Sequence, residues 1–149
     1  MSFVFNEAKR AFAEGEIDLG AGGDDIRCVL VMTDTTFDID DDINTMADAT
    51  TEDYYDGANH DSTNGHALAN EIVNEDVGNN RAEFDADDLV FTALGVGTRQ
   101  AQGIMVFKWI TNIGLSLPIA FIDTGGFPFD GNGGDVTFQW NAEGILQVT

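Results

Sequence analysis

Oxygen-bearing side chains stand at alternate positions in Asp38-Ile39-Asp40-Asp41-Asp42-Ile43-Asn44. Asp38, Asp40, Asp42 and Asn44 thereby copy the first, third, fifth and seventh ligand positions of a calcium loop, where a hard cation collects oxygens. The rest of that pattern fails. Ile43 stands where the sharp turn needs Gly, and Ala49 stands where a bidentate Glu should close the site. The segment is therefore a weak metal candidate, and loose cation condensation is the expected behaviour. Paired carboxylates also suit glycosidase acid/base chemistry. With 27 acidic side chains in the chain, however, neighbouring acids arise from composition alone.

Nucleophilic chemistry has little to draw on. Cys28 is the only cysteine and sits in the apolar run Ile26-Arg27-Cys28-Val29-Leu30-Val31-Met32, so it reads as a small buried hydrophobe without an internal disulfide. The two histidines, His60 and His66, lie in a polar, glycine-rich stretch with no nucleophile elbow. Gly20-Ala21-Gly22-Gly23, Gly95-Val96-Gly97 and Gly131-Asn132-Gly133-Gly134 lack a following Lys-Ser/Thr or a convincing helix. They read as turns rather than phosphate cradles. No catalytic residue and no cofactor is expected.

The elements that would position these groups form a mainly β chain, an antiparallel β-sandwich or rolled sheet with a short N-terminal helix and one small loop helix. Asn6 to Glu14 is built of good helix formers, Gly15 is placed to end it, and Phe5, Ala8 and Phe12 share one face. Such a short helix is marginal alone and must dock on its own sheet or on a neighbouring subunit. Residues 26–32 read as a central strand. Residues 33–65 form a long acidic loop region, with a short helix near Ile43 to Ala49 and otherwise looping outward. Residues 66–76 fit either a helix or a strand face, with strand preferred, and 82–86 and 89–94 read as strand pieces. Residues 104–110 belong in the middle of the fold, followed by 119–122. Val136, Phe138 and Trp140 alternate inward, and Asn141 to Gly144 should form a hairpin loop into residues 145–148.

The chain of 149 residues is thus read as a single domain: an N-terminal arm over 1–15, the acidic loop, and a main β core of 66–149 together with strand 26–32. With 6 basic residues the net charge is −21, and 43% hydrophobic content with eleven Phe supports a real core. Residues 14–88 hold 22 of the acids and residues 89–149 only four, which suggests a wet layer and a core-forming portion. Nucleic acid and anionic membranes are poor partners for such a surface. No apolar run reaches the roughly 18 residues needed to span a bilayer, and no secretory signal pattern opens the chain. Phe3, Phe5 and Phe12 in the terminal arm, and Phe127 and Phe129 beside Pro128, are candidate interface anchors, because aromatics in arms and loops are favoured there.

Three stretches, SFVFNEAKRAFAEGEIDL, ANEIVNEDVGNNRAEFDADDLVFTALGVGTRQAQ and IAFIDTGGFPFDGNGGDVTFQWNAEGILQVT, resemble a group of small tailed-phage structural proteins. They cover a little over half of the chain, and GGDVTFQWNAEGIL is the most specific part. The resemblance implies a non-enzymatic virion protein, and among virion roles a capsid decoration or cement protein fits best. It further implies the major capsid protein and other copies of the chain as partners, in a trimer or another homo-oligomer. The outer capsid surface would be its location after synthesis in the host cytoplasm. A tail or fibre component is the alternative, and a calcium-dependent or carbohydrate-binding module is the alternative of another class. On this reading, deleting residues 1–14 leaves the β-domain folded and weakens assembly.

Overall fold

The computed structural model describes residues 2–36 and 39–149. In chain order the first elements are β1 (Phe3–Val4), α1 (Asn6–Glu14), β2 (Ile26–Met32), β3 (His66–Ala67), β4 (Ile72–Asp76) and β5 (Arg81–Asp85). There follow β6 (Leu89–Phe91), β7 (Ala101–Lys108), β8 (Leu117–Ile122), β9 (Val136–Phe138) and β10 (Leu146–Val148). Short 3-10 turns occupy Met46–Asp48 and Ile113–Leu115. The chain is mainly β. Its antiparallel sheets run β1-β8-β7-β2-β3, β10-β5-β4 and β6-β9.

The largest sheet is the centre of the molecule. β2 and β7 pair along nearly their whole length, and Val29, Leu30, Ile104, Met105, Val106 and Phe107 are fully buried. Both faces of these strands are covered, which explains their continuous apolar runs. β7 starts at Ala101 and ends at Lys108, so Ile110 lies beyond the strand and is half exposed. Trp109 is half-buried, and the Arg27 guanidinium lies 4.0 Å from its ring centroid.

The N-terminal helix has the expected bounds. Gly15 closes it in the left-handed conformation at φ 72°, which a glycine adopts without steric cost. Its docking partner is its own sheet. β1 pairs antiparallel with β8, and Phe5, Ala8 and Ala11 are wholly buried, while Phe12 is only partly so. Phe5 is therefore a core residue rather than an interface anchor. Residues 2–14 thus pack into the core beside β8, so their removal is expected to open that core rather than release a free arm.

Two more expectations change. The turn at Asn141 to Gly144 exists, with the Gly144 N–H donating to the Asn141 carbonyl at 2.8 Å. It does not close a hairpin, however: β9 pairs with β6, and β10 pairs with β5. The division into a wet 14–88 and a core-forming 89–149 also holds only for the carboxylates. Of the described acids only Asp53 is buried, yet β2, Ile43, Met46, Ala49, Tyr54 and Tyr55 all belong to the core.

Candidate functional site

The acidic loop region turns inward. Where β3 stops, residues 53–55 take over the edge of β2: the Met32 N–H donates to the Asp53 carbonyl at 2.8 Å, and the Tyr55 N–H to the Leu30 carbonyl at 2.9 Å. The Leu30 N–H is met by a side chain, donating to His60 Nε2 at 3.1 Å. His60 Nδ1 faces the Tyr55 carbonyl at 2.6 Å, so it carries the ring proton and the imidazole stands in for a missing strand. Burial, with help from His66, lowers its pKa to about 4.

Three further side chains fasten this region. The Asp53 carboxylate accepts from the Thr36 N–H (2.6 Å) and hydroxyl (2.8 Å), and from the Thr50 N–H (3.1 Å) and hydroxyl (3.0 Å). Burial works to raise its pKa, but these four bonds outweigh it and hold the group below the usual carboxylate range. The Tyr55 hydroxyl donates to Asp130 Oδ1 at 2.6 Å and accepts from the Gly131 N–H (2.7 Å) and the Gly97 N–H (2.9 Å). A Cβ on Gly131 would overlap the Gly95 carbonyl, so the glycine-rich turns are what let three segments converge on one ring. Arg99 donates to the carbonyls of Thr33, Asp34 and Glu52. The signal for this cluster lay in the sequence: the only two tyrosines, Tyr54 and Tyr55, stand together in an otherwise polar stretch.

The metal motif is taken up by turn-making. Asp38 lies outside the described residues. Asp40 Oδ1 accepts from the Asp42 N–H at 3.0 Å, Asp42 Oδ1 accepts from Asn6 Nδ2 at 2.8 Å, and the Asn44 N–H donates to Asp48 Oδ2 at 3.2 Å. Together with the Asn6 N–H donating to the Asp41 carbonyl, these bonds clip the loop to the start of α1. Among the described residues, three acids converge instead at Asp76, Glu83 and Glu143. Arg81 already sits among them, 3.2 Å from Asp76 and 2.8 Å from Glu83, and also paired with Glu143.

Cys28 and His66 are register partners across β2 and β3, a proximity that residue order did not reveal. The thiol meets the His66 backbone carbonyl at 3.5 Å, and burial pushes its pKa far up, so the reactive thiolate is disfavoured. His66 Nε2 accepts from the Asp61 N–H at 3.0 Å, and its ring packs edge-on to Phe91 at 4.8 Å.

Of the aromatic interface candidates, Phe3, Phe12, Phe127 and Phe129 are half-buried and Phe5 is wholly buried. Phe3 packs against Phe5 at 5.0 Å and Phe121 at 5.8 Å. Phe129 and Phe138 lie 5.3 and 5.6 Å from Phe127, and Trp140 lies 4.8 Å from Phe138. This second file of rings is pinned where Trp140 Nε1 donates to the Asp87 carbonyl at 3.0 Å.

The two aromatic groups flank a furrow. Its first stretch, about 360 Å³, lies between α1 and one face of the β10-β5-β4 sheet and is lined by Val4, Phe12, Val73, Phe84, Leu146 and Val148. Register places Val73, Phe84 and Leu146 side by side, with Glu75, Ala82 and Val148 in the next row. Val4, Leu146 and Gln147 pass it on to a stretch of about 230 Å³ between β1 and β10. Ser2, Ile122, Asn141 and Ile145 continue it into a depression of about 460 Å³ floored by Phe138 and Trp140. Both β1 and β10 are edge strands. Val73 and Val148 remain 48% and 65% exposed, so the apolar floor is only partly covered by the chain itself.

Lys9 and Glu83 also line the furrow. At its outer end, Ala82 and Val148 lead to a rim containing Glu75 and Asp76. The basic side chains elsewhere are largely committed: Arg10 to Glu7, Glu14 and Glu16, Arg27 to Asp25, and Lys108 to Asp24. The remaining surface is a field of carboxylates. No helix among the described residues is long and apolar enough to cross a membrane. Comparisons with known protein families, with curated proteins and with solved structures find no match to this chain.

Proposed function

We propose that this chain is a capsid decoration protein of a tailed phage, bound to the outside of a major capsid protein shell and stabilising it. The observation that carries the reading is the anchored display of charge. The acidic region is fastened to the central sheet through Asp53, Tyr55, His60 and Arg99, while the other described carboxylates stay at the surface. A shell exterior can carry such a field, whereas a lining would face packaged DNA of the same sign. The resemblance of the GGDVTFQWNAEGIL segment to small phage structural proteins points the same way. So does the apolar furrow, since an exposed apolar patch with a polar rim marks an interaction surface.

The test is direct. Purified protein added to expanded shells lacking it should bind saturably, appear on their outer surface by electron cryomicroscopy, and raise their resistance to heat. Density on the tail instead would assign the chain to the tail or a fibre. Absence of the chain from purified particles would end the virion reading.

A further inference from the structure

We propose that His60 and His66 form an acid-sensitive latch, closed while both rings are neutral, which on protonation releases residues 60–66 from the edge of β2. The two rings lie together, with centroids 5.1 Å apart, and each uses Nε2 to accept a main-chain N–H. His60 takes the Leu30 N–H at 3.1 Å, and His66 takes the Asp61 N–H at 3.0 Å. An accepting nitrogen carries no proton, so both rings are the Nδ1–H tautomer, and His60 donates that hydrogen to the Tyr55 carbonyl at 2.6 Å. A second proton on either ring would turn its acceptor into a donor aimed at another donor. Two charged rings would also repel one another across the same short gap.

The surroundings compensate little for such charge. The loop supplies Tyr55, whose ring stands edge-on to His60 at 5.9 Å, and Asp61, whose carboxylate favours charge on both rings. That carboxylate is already held by the N–H groups of Thr63 and Asn64 and by the Asn64 amide. From β2, the Cys28 thiol meets the His66 carbonyl and stays neutral, while Arg27 brings positive charge to the Asn64 carbonyl at 3.2 Å. β6 contributes the uncharged Phe91 ring, 5.8 Å from His60 and 4.8 Å from His66, and residues 93–97 carry no charged side chain. Burial holds both rings below the ordinary histidine value, so the latch is closed at neutral pH and opens as pH falls.

The released segment has fixed ends. Upstream, the Gly95 N–H donates to the Ala58 carbonyl at 2.9 Å and Asn59 Nδ2 to the Ala93 carbonyl at 2.8 Å. Downstream, the Leu68 N–H donates to the Ile26 carbonyl at 2.9 Å. Asp53, held below the usual carboxylate range, stays ionised when the imidazoles charge, so residues 53–55 remain on β2. Acid therefore opens the edge around Leu30 and leaves its neighbours sealed. This device belongs to the fold and stands apart from the coat reading.

Two measurements on the full chain test it. Imidazole nitrogen NMR at about pH 7 should show both histidines neutral, with the proton on Nδ1. Residue-resolved hydrogen exchange, corrected for the intrinsic effect of pH, should show protection at Leu30 and Asp61 falling at least about tenfold between about pH 7 and about pH 4. Met32 and Tyr55 should stay protected over the same range. His60→Gln combined with His66→Gln keeps every carboxylate and should remove this pH dependence at both amides. Should that variant not fold, His66→Gln alone, at a half-buried ring, should remove it at Asp61. A proton on Nε2 of either ring, or protection unchanged at about pH 4, would overturn the proposal. So would loss at all four amides together, which is global acid unfolding, or a pH dependence that survives in the variants.

Discussion

The edge of β2 beyond the two residues of β3 and the edge of β10 pose the same problem, main-chain groups with no neighbouring strand, and received opposite treatments. Beside β2 the protein spends an irregular, acidic stretch of chain. Residues 53–55 pair with it, His60 caps Leu30, and Asp53 and Tyr55 hold the stretch in place with side-chain hydrogen bonds. Among the described residues nothing comparable is laid down beside β10, although the face behind it is apolar. Regular strand pattern and local completeness are thus separate properties. The stretch that looks loose in sequence is satisfied, and the stretch that looks orderly is left open.

The comparison can be broken at its supports, beginning with the largest effect. Phe5 carries β1, one wall of the furrow, from within the core. Phe5→Ala should cost about 3–5 kcal/mol in chemical denaturation, and removal of residues 1–14 should abolish cooperative unfolding altogether. A truncated chain that unfolds cooperatively at the wild-type midpoint would return the segment to the status of a free arm.

Next comes the sealed edge. Asp53→Ala strands four donors on Thr36 and Thr50, so a loss of about 3 kcal/mol is expected, with faster hydrogen exchange at Met32 and Tyr55. If exchange there is unchanged, the carboxylate is not what holds the seal.

His60 supplies a pH signature. Its folded pKa is depressed to about 4 from 6.5, so the unfolded chain binds the proton first as pH falls. The stability contributed by neutral His60 is complete above about pH 6.5 and is lost as pH falls towards the folded value, by about 2 kcal/mol between about pH 7 and about pH 5. Denaturation monitored by tryptophan fluorescence should show this decline in wild type and a shallower one in His60→Gln. Parallel profiles would remove His60 from the account. The smallest effect belongs to the open edge: Val148→Thr should change stability by less than about 0.5 kcal/mol, because the side chain is already mostly solvated. A large loss would mean that the furrow is closed in solution.

Much of the scaffold was legible in residue order. Asn6 to Glu14 was a helix because good helix formers run up to a glycine, and 26–32 was a central strand because apolar branched residues fill it without alternation. Other features depended on contacts between residues far apart in the chain. Nothing local tells Val136 to Phe138 to pair with β6 rather than with the strand that follows four residues of turn. The aromatic candidates stand near the two ends of the chain, but their exposure was not legible: Phe5 is buried because β8 lies beside it.

The sequence by itself determined the chemistry of this protein's surface and the class of its fold. Net charge and composition are sums over residues, and short-range periodicity follows from backbone geometry, so neither needs a tertiary partner. Only the tertiary structure decided which edges would be closed. That choice depends on long-range pairing, where Tyr55 reaches Gly97 and Gly131, His60 reaches Leu30, and Leu146 reaches Phe84 with no further strand beyond β10 among the described residues. Each of those contacts joins segments distant in the chain, and only the folded core brings them within hydrogen-bonding distance.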